Sequence, residues 1–364
     1  SDMCRALLMG LPGVAYWCGL ADAMWTAIGL GLGTYVNWLL VARRLRRYSA
    51  ISGDAITVPD FLSNRFHEKK KIIMGISAGL ILVFFTVYAG SCFVTCGKLF
   101  STLFGVSYHT MMIVGAIFVV VYTFIGGFLA ESASDFMQAV VMIIALLTIL
   151  ILGTSAAGGI DAVIENAAKI PGYLSPTAQA APVVDANGVQ QAVNGAAQFG
   201  EATSYGPLTI ISTLSWGLGY FGVPQVLLRF MAIRKEGELK RSRRIATVWV
   251  AIALFSAVFI GMIGRALYPT EASLATASGA ENVFIVLSQG LLPAVLAGII
   301  MAGILAATIS SSDSYLLIAA SAFSKNIYEG IMKKGKADDK KVMKISRIVL
   351  VVIALIGMII AWDE

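Results

Sequence analysis

Five consecutive polar residues, Ser310, Ser311, Ser312, Asp313 and Ser314, stand inside a long apolar run. On a helix, Ser310, Asp313 and Ser314 share one face, with Ser311 beside them. Hydroxyl and carboxylate oxygens are the ligands that hard cations prefer. The pattern therefore favours a cation site on this face. The alternative is that the hydroxyls bond back to carbonyls of the preceding turn, or join neighbouring helices.

Acidic residues also fall in apolar runs at Asp2 and Asp135, in addition to Asp313. An acid near the centre of a bilayer costs about 3 kcal/mol on insertion scales, so we interpret these three as functional. The two histidines, His67 and His109, lie in a predicted loop and at the end of a predicted span. An imidazole relay across a membrane is therefore excluded, whereas spacing leaves the choice between sodium and a proton open.

Three glycines and a proline interrupt another apolar run, at Gly217, Gly219, Gly222 and Pro224. Glycine and proline at this density predict a broken helix, although a simple proline kink is the alternative. Non-helical backbone at membrane depth is tolerated only where it is buried in protein or lines a cavity. We therefore expect this break to face a binding site.

Aromatic residues accompany the break. Trp216, Tyr220 and Pro224 recur every four residues, and Tyr88 lies in the middle of another apolar run. They are candidates for the wall of a substrate pocket. Ordinary aromatic packing, or a belt at the membrane interface, explains the same spacing equally well.

The elements that must position these residues are membrane helices. The chain of 364 residues is 58% hydrophobic and only 13% charged, compared with roughly 25% charged residues in soluble domains. A bilayer span requires roughly 20 apolar residues, and the sequence predicts nine such segments. They lie near residues 2–18 (partial), 20–42, 72–97, 110–130, 135–155, 207–228, 246–268, 285–310 and 346–362.

The basic residues predict the orientation of these spans. All but four of the 27 Lys and Arg fall within 43–71, 229–244 and 325–347, and cytoplasmic loops collect such residues. An alternating path places all three stretches on the cytoplasmic side, together with a short turn at 127–134. It places 156–206 outside, where we expect a partly ordered loop. The net charge of +6 thus indicates orientation in a plasma membrane and not nucleic-acid binding.

The sequence gives no indication of an enzyme. No soluble domain is evident, and the spans lack a nucleophile with its base or a metal pair at catalytic spacing. The chain starts at Ser1 within an apolar segment and stops at Glu364 directly after a span. We therefore expect 1–364 to be one transmembrane domain that is part of a longer protein.

Several motifs resemble those of the sodium/solute symporter family. They are "WGLGYFGVPQVLLRFMAIR" (216–234), "ILAATISSSDSYLLIAASAFSKNIY" (304–328), "SDM" with "LLMGLPG" (1–13), "YTFIGGFLA" (122–130) and "ENVFI" (281–285). The resemblance covers essentially the whole chain and is strongest to the proline symporters of that family. It implies sodium-coupled import of a small organic solute, with L-proline first, Na⁺ as coupling ion and no other cofactor.

The family fold implies two inverted five-helix repeats of the leucine-transporter type, with helices one and six broken. Residues 1–155 would form the first repeat with helix one partial. Residues 156–206 would form the extracellular loop, and 207–364 the second repeat without its last helix. The resemblance implies neither a nucleic-acid partner nor an obligate protein partner.

The resemblance also implies roles for individual residues. Asp2, Met3, Ser310 and Ser311 match the family's sodium site. A possible second cation site matches Asp135, Asp313 and Ser314, and substrate recognition matches Tyr88, Trp216, Tyr220 and Pro224.

One stretch departs from the pattern of the proline symporters. The chain reads Cys4, Arg5 and Ala6 where those proteins typically have Ser, Gly and Trp after "SDM". Another amino acid or a small carboxylate is therefore an alternative substrate, and a transporter-like sensor domain is an alternative function.

Overall fold

The computed structural model describes the backbone of residues 6–362, and their side chains except at 6, 99, 102–104, 126–131, 306–307 and 309–310. Asp2 and Met3 lie outside the described residues, as does the side chain of Ser310. The described chain is largely helical, as predicted. Its first seven α-helices, in order, are α1 Leu11–Cys18, α2 Leu20–Asn37, α3 Arg43–Ile51, α4 Val58–Arg65, α5 Ile72–Phe104, α6 Tyr108–Ala156 and α7 Ile160–Ala168.

The second half begins with four two-residue strands and continues with seven α-helices. The strands are β1 Ala178–Gln179, β2 Ala192–Val193, β3 Ala196–Ala197 and β4 Thr203–Ser204. The helices are α8 Pro207–Leu214, α9 Trp216–Gly219, α10 Pro224–Ala232, α11 Glu238–Leu267, α12 Val283–Leu291, α13 Ala294–Ser321 and α14 Asp339–Ile360. Turns of π-helix at Ala6–Gly10, Trp38–Ala42 and Ala322–Met332 extend α1, α2 and α13.

Six helices among the described residues are long and apolar enough to cross a membrane. They are Leu20–Ile51, Ile72–Lys98, Tyr108–Ile125, Ser132–Ala156, Glu238–Leu267 and Asp339–Ile360. Two shorter apolar helices, Leu7–Cys18 and Ala294–Leu305, match the predicted first and eighth spans. The remaining predicted span, 207–228, is divided among shorter helices. The chain is a multi-pass membrane protein.

The three basic segments meet at one end of the helix bundle. Arg46 Nε donates a hydrogen bond to the carbonyl of Ile233 (2.5 Å), which joins the first segment to the second. Asn326 Nδ2 donates to Thr57 Oγ1 (2.7 Å), which joins the third to the first. This shared end is what the predicted orientation requires.

Helix α6 covers two predicted spans and the turn expected between them at 127–134. Its first half is antiparallel to α14, because Tyr108 Oη donates to the carbonyl of Ala361 (2.7 Å) while Phe124 lies 4.7 Å from the guanidinium of Arg347. Phe124 is thus at the basic end of the bundle and Tyr108 at the opposite end.

The second half of α6 returns to that opposite end. Asp135 forms an ion pair with Arg229 of a basic segment, whereas Gly153 packs against Ile263 near the end of α11. The chain therefore reverses between Phe124 and Asp135, as an alternating path demands. The residues of this reversal are assigned to α6, so the short turn expected at 127–134 is made by helical backbone.

The exterior segment 156–206 is more ordered than we predicted. It contains α7 and two antiparallel strand pairs, β1 with β4 and β2 with β3. Its fully buried Tyr173 donates to the carbonyl of Ala15 (2.6 Å), and Leu20 N donates to the carbonyl of Tyr173 (2.7 Å). The segment is fixed by docking onto the junction of α1 and α2, a contact that leaves no periodic pattern in the sequence.

Arg265 of α11 provides a second attachment for this segment. Its side chain is 1% exposed and its guanidinium lies between the rings of Tyr16 (4.5 Å) and Phe199 (4.6 Å). It also donates to Gln190 Oε1 (2.8 Å). Stacking between two aromatic faces is a favourable setting for a buried guanidinium, and it ties the exterior segment to the bundle.

Candidate functional site

The sixth predicted span is broken near its middle, as expected from its glycines and proline. Helices α8 and α9 end at Leu214 and Gly219, and α10 begins at Pro224. Val223 has an extended backbone (φ −68°, ψ 116°), and proline at the first helical position has no amide hydrogen to leave unpaired. A simple kink would keep one helix, so that alternative is wrong. The expected break in helix one lies outside the described residues.

Asn37 of α2 supports the break. Its side chain is 1% exposed, and Nδ2 donates a hydrogen bond to the carbonyl of Tyr220 (2.7 Å). A buried carbonyl without a partner would destabilise the fold by about 1 to 3 kcal/mol. Asn37 therefore stabilises non-helical backbone at membrane depth.

Close contact between two backbones holds α9 against α2. A Cβ atom added at Gly217 would lie 2.8 Å from the carbonyl carbon of Gly29, and closer still to its oxygen. A Cβ at Gly29 would lie 2.6 Å from the carbonyl oxygen of Leu214. By contrast, a Cβ at Gly219 would meet nothing within 4 Å. Gly217 is thus required for packing, and Gly219 is not.

The polar stretch of α13 is buried within the helix bundle. Asp313 and Ser314 are 1% and 0% exposed, and Ser311 is 4% exposed. Ser312 donates to the carbonyl of Thr308 (2.9 Å), so local bonding to the preceding turn accounts for Ser312. Ser311, Asp313 and Ser314 are the described side chains of the cation face predicted for α13.

Asp135 of α6 lies at nearly the same position along the helix axes as this polar stretch of α13. Helices α6 and α13 are in tight contact, since a Cβ at Gly303 would lie 2.7 Å from Val141 Cγ1. Their directions are opposite, because Gly153 of α6 packs near Leu291, just before α13 begins. Asp135 comes six residues before Val141, so it lies roughly level with residue 309, which comes six residues after Gly303. Asp135 is therefore about one helical turn from the level of Asp313 along the helix axes.

Asp135 already has a cationic partner in this structure. Its carboxylate pairs with the guanidinium of Arg229 on α10, and their side chains are 10% and 36% exposed. This ion pair connects the second half of α6 to the helix that follows the break. Arg229 lies in the motif 216–234, but its partner could not be identified from spacing.

The predicted substrate residues fall in two places. Tyr88 of α5 lies 5.3 Å from Tyr315 of α13, ring centre to ring centre, directly after the polar stretch. Tyr220 and Pro224 border the break, and Tyr220 packs against the large apolar cluster at the centre of the bundle. Trp216 is 69% exposed. The structure thus brings Tyr88 to α13, leaves Tyr220 at the break beside α2, and leaves Trp216 on the exposed side of α9.

Three residues in these contacts were missed in the sequence: Asn37, Arg229 and Tyr315. Asn37 interrupts the apolar run "GTYVNWLL", which is a detectable signal, because a polar residue in a span usually has a partner. Tyr315 directly follows Ser314, but nothing in its spacing separates it from ordinary aromatic packing.

Some of the known proteins with similar sequences are named as sodium/proline symporters. The chain is 39% identical over 365 residues to a sodium/proline symporter of Staphylococcus aureus, and the alignment covers 100% of this chain and 66% of the relative. A sodium/proline symporter from S. aureus strain USA300 / TCH1516 gives the same values. The chain thus spans just under two thirds of the length of these relatives.

A solved structure shows the same fold. The substrate-bound outward-open state of a Na⁺-coupled sialic acid symporter superposes with a TM-score of 0.76, covering 98% of this chain and 71% of that chain at 19% identity. The fold is therefore of the leucine-transporter type, as predicted. The family model described as "Sodium:solute symporter family" matches residues 1–364. The chain belongs to the sodium:solute symporter family.

Proposed function

We propose that the protein imports a small organic solute, L-proline in the first place, together with Na⁺ across the plasma membrane. The observation that carries this proposal is the buried oxygen-rich stretch of α13 in a chain of the sodium:solute symporter family. The names of the 39% identical relatives support sodium and proline as the ligands. The basic segments would face the cytoplasm, and residues 156–206 the exterior.

The coupling ion would be held between the start of the chain and α13. Asp2 and Met3 would supply a carboxylate and a backbone carbonyl, and Ser310 and Ser311 would supply hydroxyls. Oxygen ligands of this kind suit a hard cation. Burial of Ser311 supports the assignment, because a water-free site strengthens the attraction between an ion and its ligands.

A second cation would use Asp135, Asp313 and Ser314. In the present structure Asp135 is paired with Arg229, so a cation that binds Asp135 would compete with that guanidinium. The substrate would contact Tyr88 next to α13, and Tyr220 and Pro224 at the break, with Trp216 beside them. The break would provide backbone groups for the same site.

Import would follow alternating access of two inverted repeats, 1–155 and 207–364. Sodium would favour the outward-open state, substrate would permit closure, and release of sodium inside would favour the inward state. Each ligand can shift this equilibrium only by its difference in affinity between the states. Transport, and not catalysis, is the activity proposed.

The test is uptake of labelled proline into proteoliposomes that carry the protein, with and without an inward Na⁺ gradient. We expect accumulation that requires the gradient and collapses with a sodium ionophore. Excess unlabelled amino acids and small carboxylates, added one at a time, identify the substrate by competition. Sodium-independent uptake would contradict the coupling, and sodium-dependent uptake of another labelled compound without uptake of proline would replace proline as substrate.

The Cys4-Arg5-Ala6 stretch gives a second candidate substrate class. An arginine at position 5 would attract the carboxylate of any such substrate, and Ala6 stands where the proline symporters typically have Trp. Together they make another amino acid or a small carboxylate the alternative to proline. Replacing these residues with Ser, Gly and Trp should increase proline uptake if the stretch weakens proline binding. Unchanged proline uptake in that variant would favour the other substrates.

A further inference from the structure

A groove between α2 and α11 runs along the outer surface of the helix bundle. Its volume is about 630 Å³, and every lining side chain except Tyr35 and Thr247 is apolar. The groove is open above Gly31, because a Cβ atom added at Gly31 would contact only Leu254 Cδ1, at 3.8 Å. The groove is therefore a concave apolar surface with room for a linear hydrocarbon.

The groove extends from the exterior side to the basic end of the bundle. Its lining runs from Leu20 to Tyr35 on α2 and from Met262 to Thr247 on α11. Fifteen helical residues cover about 22 Å, and half of the hydrocarbon core of a bilayer is about 15 Å thick. The groove is thus longer than one leaflet is thick, so an acyl chain of the leaflet on the basic side can lie in it over the full length of that acyl chain.

A positive charge lies at the basic end of the groove. The guanidinium of Arg243 stacks on the ring of Tyr35 at 5.6 Å, and Thr247 donates to the carbonyl of Arg243 (2.8 Å). Arg43 lies at the same end, 3.8 Å from Glu236. Among the ion pairs of the described residues, none includes Arg243.

We propose that this groove binds an anionic phospholipid of the leaflet next to the basic segments. One acyl chain occupies the groove between α2 and α11, and the phosphate accepts hydrogen bonds from Arg243. A guanidinium matches a phosphate in charge and geometry, and stacking on Tyr35 orients it. Charge complementarity favours this occupant over a second copy of the chain or another helix, because neither of these requires a cation at the end of the groove.

The test compares two lipids that differ only in headgroup charge. The protein is purified from vesicles of equal parts dioleoyl phosphatidylglycerol and dioleoyl phosphatidylcholine, and retained lipid is counted by native mass spectrometry. We expect phosphatidylglycerol to be retained about fivefold over phosphatidylcholine, the preference that one arginine near the surface provides. Inorganic phosphate alone should not displace the retained lipid.

Two variants examine the two parts of the site. Gly31→Leu fills the groove and should lower the amount of retained phosphatidylglycerol about fivefold. Arg243→Gln removes the positive charge and should also lower it about fivefold, which is the preference that one arginine provides. The matched controls are Gly79→Leu on α5, where an added Cβ meets nothing within 4 Å, and Arg241→Gln, the same charge change on α11. Both controls should behave as the unaltered protein does.

Several results would overturn the proposal. Equal retention of the two lipids by the unaltered protein would do so without any variant, and so would displacement by inorganic phosphate. Unchanged retention of phosphatidylglycerol in Gly31→Leu or in Arg243→Gln would also overturn the proposal. An equal loss of retention in the control variants would overturn it as well. A cross-link between copies of the chain through the groove would assign it to a dimer instead.

Discussion

The sixth and eighth predicted spans bring polar groups to membrane depth in two different ways. The sixth is divided into α8, α9 and α10, and exposes a backbone carbonyl at Tyr220 that Asn37 binds. The eighth remains helical through α13 and uses side-chain oxygens at Ser311, Asp313 and Ser314. Substitutions that add atoms to the sixth span should therefore lower the stability of the fold. Substitutions that remove side-chain oxygens from the eighth span should weaken sodium binding.

The largest expected effect comes from one methyl group at Gly217. Gly217→Ala places a Cβ against the backbone of Gly29, and backbone cannot move aside as a side chain can. Overpacking of this kind costs about 3 kcal/mol, so the melting temperature of the purified protein should fall by several degrees.

Gly219→Ala is the matched control, because it adds the same atom to the same short helix in open space. It should leave the melting temperature nearly unchanged. If the two variants melt together, the close approach of α9 to α2 is not what holds the break in place.

A smaller loss is expected at Asn37. Asn37→Leu removes the donor to the Tyr220 carbonyl, which should destabilise the protein by about 2 kcal/mol and reduce solute uptake. Asn326→Leu is the control, because Asn326 is equally buried but bonds to Thr57 at the basic end of the bundle. Both variants should lower the melting temperature. An equal loss of uptake per folded molecule in both would contradict a specific role for Asn37 at the break.

Aromatic residues at the break should affect substrate binding unequally. Tyr220→Ala should raise the apparent KM for the transported solute about tenfold, which corresponds to about 1.4 kcal/mol, because Tyr220 borders the break and is partly buried there. Trp216→Ala should have a smaller effect, since its side chain is 69% exposed. Concentration-dependent uptake measures both values. A larger effect at Trp216 would place the substrate on the exposed side of α9.

The smallest expected effect lies outside the membrane, at Asp60 of α4. Burial raises the pKa of this carboxyl, and Glu329 raises it further, while Lys71 and Lys325 oppose the shift. A raised folded-state pKa means that the folded protein binds the proton more tightly than the unfolded chain. Stability should therefore fall as pH rises from the ordinary pKa of an aspartate through the raised value.

Asp60→Asn should flatten that part of the pH dependence, as measured by melting temperature between about pH 4 and 7. Asp54→Asn serves as a control for the same charge change in the neighbouring turn. An unchanged slope in Asp60→Asn would show that another group titrates.

The same comparison explains what could be predicted from the sequence. The break was predictable because Gly217, Gly219, Gly222 and Pro224 act locally on the backbone. The buried face of α13 was predictable because helical period places its polar residues together. In both cases the physical cause lies within a few residues of its effect.

Features that depend on tertiary contact were not predictable. The partner of Asp135 is Arg229, 94 residues away along the chain, and no local pattern connects them. The order of 156–206 depends on two tertiary contacts. Tyr173 of the segment donates to Ala15 of α1, and Arg265 of α11 donates to Gln190 of the segment. A short turn was expected at 127–134, where the backbone of α6 is helical. The basic segments require a reversal there but do not determine its conformation.

The most direct test of the account is the sodium dependence of solute uptake in two adjacent serine variants of α13. Ser311→Ala removes a proposed sodium ligand and should raise the half-saturating Na⁺ concentration about tenfold, as expected when a hydrogen-bonding partner of a charged group is lost. Ser312→Ala removes a hydroxyl that bonds to the carbonyl of Thr308, so it should leave that concentration unchanged. Equal sodium dependence in the two variants would contradict the assignment of Ser311 to the sodium site.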